Sequence, residues 1–151
     1  MALKEQIQND MKAAILGGNR FEADVLRDLK AAVLNEEVAQ GKRDEGLADG
    51  EVERIIAKEV KKRQESIQLY DANGRPELAE AERKESSVLE RYLPQQLSEH
   101  EVTEIVTATI EEMGATGMQS MGMVIKAVKD KVGNTADGAL VARIVKQQLN
   151  K

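Results

Sequence analysis

Cysteine and tryptophan are absent from the 151 residues, and the aromatic complement is limited to Phe21, Tyr70 and Tyr92. Without thiols there is no disulfide scaffold, thiolate zinc site, iron–sulfur cluster or cysteine nucleophile. A single histidine, His100, argues against His-rich metal sites and Ser–His triads. Apolar runs extend for only a few residues, so neither a membrane span nor a signal peptide is expected, and the expected location is the cytoplasm.

What the chain does contain is charge and regularly spaced aliphatic side chains, 32% charged and 41% hydrophobic. The net charge of −5, from 22 basic and 27 acidic residues, argues against non-specific nucleic-acid binding. The average conceals a pattern. Residues 97–113 hold five acids (Glu99, Glu101, Glu104, Glu111, Glu112) and no Lys or Arg, whereas 114–151 hold six bases and two acids. A basic segment within an acidic chain keeps a polyanion partner in view.

The spacing predicts helices throughout. Leu3, Ile7, Met11 and Ile15 recur every four residues up to Gly17-Gly18. Phe21, Val25, Leu29 and Val33, with Leu26 and Leu34, continue the period towards Gly41. The polar stretch from Gly41 to Gly50 reads as a loop with Asp49 as N-cap of a third helix, marked by Val52, Ile55, Ile56, Val60, Ile67 and Tyr70. Asn73-Gly74 closes it, and Pro76 suits the first turn of a fourth, carried by Leu78, Ala81, Val88, Leu89 and Tyr92. Pro94 then interrupts, and Ser98 with Glu101 matches a capping box opening a fifth helix with Val102, Ile105, Val106, Ile110 and Met113 on its apolar face. Met121, Val124, Ile125, Val128 and Val132 mark a sixth helix, and Asp137 caps a seventh bearing Leu140, Val141, Ile144, Val145 and Leu149. No segment alternates long enough for a strand. The expected fold is all-α, with an N-terminal helical-hairpin domain of about four helices (1–93), a linker (94–96) and a small C-terminal three-helix domain (97–151).

Chemistry-bearing groups are few. His100 sits beside Glu99 and Glu101 at a helix start, where a surface histidine is the expected reading. Asp44, Glu45, Asp49 and Glu51 surround a glycine-containing loop but lack the ligand order of an EF-hand. Lys61-Lys62-Arg63 is interleaved with acids, and Glu59 with Arg63 forms an i,i+4 pair, as on a solvated face. Met113, Met118, Met121 and Met123 either pack a core or form an adaptable binding patch. No catalytic residue, metal site or cofactor is expected. The segment from Met118 to Gly138 is more informative. Lys126, Lys129 and Lys131 lie towards the end of the sixth helix, the turn is Gly133-Asn134-Thr135-Ala136-Asp137-Gly138, and Arg143 and Lys146 follow. This arrangement serves either as paired helix caps or as a phosphate site on free helix N-terminal amides.

Tyr92-Leu-Pro-Gln-Gln-Leu-Ser98 before an acidic helix, Met121-Gly122, and Ala136-Asp-Gly138 leading into Leu140-Val141 resemble the YqeY family. So do Asn9-Asp10-Met11-Lys12, Arg27-Asp-Leu-Lys-Ala-Ala-Val-Leu-Asn35 and Tyr70-Asp-Ala-Asn-Gly-Arg-Pro76, and the likeness spans essentially the whole chain. The family is related to the tail domain of the GatB subunit of tRNA-dependent amidotransferases, where the tail helps hold tRNA. The resemblance therefore implies a helical N-terminal domain, a small helical C-terminal domain, tRNA as a partner, and a family association with carbon–nitrogen ligase activity using glutamine as amido donor. The chain lacks the catalytic portion of GatB and an amidase Ser–Ser–Lys set, so it is not expected to be an enzyme by itself. It also departs from the family pattern in having no basic residue directly before Gly133 or directly before Ala136-Asp-Gly138, and in carrying Ser120 and Met123 where Asp and Lys usually flank the Met-Gly pair.

Two functions follow as expectations. The first is a tRNA-binding accessory module in which Lys126, Lys129, Lys131, Arg143 and Lys146 meet phosphates, and the turn with Gly133, Asn134, Thr135, Asp137 and Gly138 fits an RNA groove by shape. The second is a protein-interaction adaptor, its N-terminal helices docking an amidotransferase or translation-related protein.

Overall fold

The computed structural model describes residues 2–151. The all-α expectation holds: among the described residues there are seven α-helices, two short 3-10 turns and no strand. In chain order the helices are α1 (Leu3–Leu16), α2 (Arg20–Ala39), α3 (Asp49–Ala72), α4 (Pro76–Glu90), α5 (Glu99–Met113), α6 (Met121–Val132) and α7 (Gly138–Leu149). The chain divides into two compact units, one ending at Leu93 and the other spanning Pro94–Lys151.

In the N-terminal unit α1 packs on α2 and α3 on α4, each pair joined by a short turn, and α2 also contacts α3 and α4. Gly74, at φ +70°, makes the left-handed residue that turns α3 into α4, and Pro76 occupies the first turn, where its missing N–H leaves no helical bond unmade. The core gathers Ile7, Leu26, Leu29, Val33, Val52, Ile56 and Leu89. Not every residue of the apolar period is buried: Ile15, Phe21 and Leu34 are 52%, 45% and 42% exposed and Ala81 is exposed too, while Ala14 and Ala23 are buried. A four-residue step advances about 400° around a helix, so three steps from Leu3 rotate Ile15 about 120° off the buried line.

The N-cap expected at Asp49 is corrected. Ala48 holds the N-cap of α3, and Asp49 is the first helical residue. Its Oδ1 accepts the Leu3 N–H at 3.0 Å, satisfying a donor that α1 leaves unpaired at its own start. The unit is closed from its far end by Tyr92, which is buried and whose hydroxyl donates to Asp10 Oδ2 at 2.6 Å, and by Arg91, which pairs with Glu22.

Burial first, and then the hydrogen bond to Asp10, hold the Tyr92 phenol above the ordinary tyrosine range. The native chain therefore keeps this proton when the unfolded chain has released it, so the contribution is full below about pH 10 and is lost as pH rises further. Tyr92→Phe carries no such proton. Its stability deficit in urea denaturation is expected to hold constant from about pH 8 to pH 9 and to narrow by about pH 10.5; a deficit unchanged across that whole range would contradict the assignment.

In the C-terminal unit α5, α6 and α7 pack on one another around Val102, Val106, Val124, Val128, Val141, Ile144 and Val145. The Ser98–Glu101 capping box forms, and α5 ends at Gly114 in the left-handed conformation. Among the methionines Met121 packs against this core, whereas Met113, Met118 and Met123 are exposed.

Candidate nucleic-acid interface

The turn between α6 and α7 is built backbone first. Gly133 has φ 55° and ψ −128°, a combination that side chains exclude and that lets the chain leave α6 abruptly. A 3-10 turn over Gly133–Thr135 follows, Ala136 is extended, and Asp137 occupies the N-cap position of α7. Residues before α5 hold the turn in place. Leu97 N–H donates to the Thr135 carbonyl at 2.7 Å, and Gln96 Nε2 donates to the Asn134 carbonyl at 3.0 Å. Thr135 Oγ1 donates to the Val132 carbonyl at 2.5 Å. Within the segment expected as a linker, 94–96, Gln96 thus bonds the α6–α7 turn. Gln96 shows no local pattern that announces this role, because its acceptor lies 38 residues away.

The five cations separate into two groups. Lys131 Nζ donates to Thr109 Oγ1 at 2.9 Å and pairs with Glu112 at 2.8 Å, and Arg143 pairs with Glu99 at 3.0 Å. Both are held by the acidic helix α5. Lys126, Lys129 and Lys146 are exposed and make no ion pair among the described residues. Lys129 reaches over the start of α7: its Cε and Nζ lie 3.3 and 3.4 Å from the point a Cβ on Gly138 would occupy. The ammonium therefore stands at a helix end that already carries positive partial charge and unpaired N–H groups. Lys126 lies about 10 Å back along α6 from Gly133, and Lys146 about 12 Å along α7 from Gly138, by helical rise. The turn gathers Lys129 alone; the other two free cations flank it.

Several of the remaining polar candidates have structural partners, whereas Asp44 and Glu45 are simply exposed on their loop. His100 is exposed and pairs with Glu104 at 2.9 Å. Glu51 faces Lys42 at 3.5 Å, Asp49 bonds Leu3, and no group of three His, Asp or Glu among the described residues is placed to hold a metal ion. Arg63 joins Glu59 of its own helix and Glu85 of α4. One charged residue escapes simple sequence reading. Glu37 is buried on α2, accepts from Lys4 Nζ at 3.0 and 2.8 Å with its two oxygens, and accepts the Leu47 N–H at 3.2 Å. The available signal is its position: it continues the Leu26–Leu29–Val33 stripe by one more turn.

No helix among the described residues is long and apolar enough to cross a membrane. A protein from Clavispora lusitaniae named altered inheritance of mitochondria protein 41, mitochondrial, is similar to this chain, with 26% identity over 137 residues covering 89% of this chain and 78% of the relative. The family model described as Yqey-like protein matches residues 4–149, a span that takes in both units and the whole α6–α7 turn. The chain therefore belongs to the YqeY family.

Proposed function

We propose that this protein is a tRNA-binding accessory module associated with aminoacyl-tRNA amidation, without a catalytic site of its own, and that α6, the Gly133–Gly138 turn and α7 meet the RNA backbone. The observation that carries the reading is Lys129 lying against the first turn of α7. A cation beside a helix N-terminus is electrostatically unfavourable, Asp137 at the N-cap position offsets it by one negative charge, and a phosphate placed there would meet both the ammonium and the first α7 amides, which no side chain caps. Lys126 and Lys146 extend the positive track to either side. Lys131 and Arg143 are partly neutralised by Glu112 and Glu99, although exposed pairs of this kind are worth only about 0–1 kcal/mol and yield readily to a polyanion. The reading keeps the cytoplasmic location expected from the sequence, whereas the relative's name places that protein in mitochondria.

Fluorescence anisotropy with bulk tRNA across about 50–200 mM salt tests it. Three free lysines predict a log–log slope of about −2 to −2.7, against about −3.5 to −4.5 if all five cations release counterions. A Lys126/Lys129/Lys146 triple alanine variant should lose most of that slope. Binding that is absent at low salt, or independent of salt, would overturn the proposal.

A second reading, a protein-interaction adaptor, is favoured by exposed Ile15, Leu16 and Phe21 around the α1–α2 turn, with Leu16 89% accessible. Isolated exposed leucines are ordinary; three exposed large apolar side chains within seven residues are what a partner protein would cover. Capture of an RNA-free partner, lost in Leu16→Glu, would support this reading over the first.

A further inference from the structure

We propose that the N-terminal unit binds a short aliphatic carboxylate in a cavity between α1 and α2. The cavity has a volume of about 350 Å³, with Ile7, Val33 and Leu34 as apolar wall and Lys4, Lys30 and Glu37 as its charged groups. The charges are unevenly committed. Glu37 is matched by Lys4 and fixed further by the Leu47 N–H, so neither is free to take up a ligand. Lys30 is half-buried at the cavity and has no ion pair among the described residues. The sum over Lys4, Lys30 and Glu37 is one positive charge beside an aliphatic wall.

That combination specifies its occupant. One uncompensated ammonium matches a single negative charge, and the apolar wall requires a hydrocarbon body attached to it. No aromatic side chain lines the cavity, so a planar ring finds no stacking partner. The volume lies at the small end of ligand pockets, which run from about 300 to 1,000 Å³, and this favours a short chain over a long lipid. The cavity is open to solvent on one side, where Ala31 and Leu34 are exposed, and Ile7 and Val33, almost fully covered, lie at its floor. This site is independent of the RNA reading, which concerns the other unit.

The test is titration of the full chain with octanoate, followed by the methyl resonances of Ile7, Val33 and Leu34. Saturable shifts confined to these methyls are expected. Acetate, which lacks the chain, should leave them unmoved. 1-Octanol, which lacks the charge, should bind about tenfold more weakly, and Lys30→Gln should weaken octanoate by a similar factor. Leu34→Glu should abolish binding, and because both substituted side chains reach solvent, unchanged amide spectra elsewhere verify the fold. No saturable shift with octanoate, equal affinity for 1-octanol, or unaltered affinity in Lys30→Gln would each overturn the proposal.

Discussion

Replacing Ile144 by alanine is expected to unfold the C-terminal unit while leaving the N-terminal unit folded. Ile144 is 1% exposed and lies among Val102, Val106, Val128 and Val141. Removing such a side chain from a close-packed core costs about 2–5 kcal/mol, the lost transfer energy plus the cavity left behind. A unit limited to Pro94–Lys151 has a small core, and cores of this size supply only about 3–5 kcal/mol of net stability. One substitution is thus comparable to the whole. The two buried clusters share no residue, which is why the loss should stay local. In an amide correlation spectrum the signals of residues 94–151 should collapse to the unfolded range while those of 2–93 persist. Ile144→Val, which removes one methylene, should cost about 0.5–1.5 kcal/mol and keep the spectrum intact. Collapse of both sets in Ile144→Ala would show that the units fold as one.

The second large effect is expected at Lys4, a residue whose 47% side-chain exposure would ordinarily mark it as dispensable. Lys4→Met leaves the Glu37 carboxylate buried without its counter-charge, a situation that costs about 3–5 kcal/mol. Its retained bond from Leu47 N–H places the expected value near the lower figure, about 3 kcal/mol. Glu37→Leu removes the charge but strands that N–H, at about 1–3 kcal/mol. In the Glu37→Leu background, Lys4→Met should then be close to neutral, because Lys4 can extend into water. Urea denaturation of the four proteins in this cycle measures the coupling directly. Additive losses would mean that the Lys4–Glu37 contact contributes nothing to stability.

Ile144 was legible in the sequence as part of the apolar face of α7, whereas the Lys4–Glu37 pair marks where sequence reading stops. Helix positions and ends were legible because their determinants are local: the Ser98–Glu101 box, the Asn73-Gly74 reversal and Pro76 each act within a few residues. Burial ends short of Ile15, Phe21 and Leu34, since an i,i+4 stripe drifts around the helix and the partner helix decides where burial stops. Glu37 and Asp49 were not legible in their roles, because Lys4 and Leu3 lie 33 and 46 residues away. The candidate interface divides in the same way. The turn from Gly133 to Gly138 is written in the local sequence, whereas the capture of Lys131 by Glu112 and of Arg143 by Glu99 depends on how α5 is set against α6 and α7.

The bond from Tyr92 to Asp10 spans 82 residues, almost the full length of its unit. During synthesis, at about 5–20 residues per second, roughly 4–16 s separate the appearance of Asp10 from that of Tyr92. Throughout that interval α1 can pair with α2, but the hydroxyl that anchors it has not been made. The N-terminal unit is therefore assembled with α1 held first by Glu37 and Asp49 and latched last by Tyr92, so a chain truncated before Tyr92 should emerge with α1 weakened at its C-terminal half.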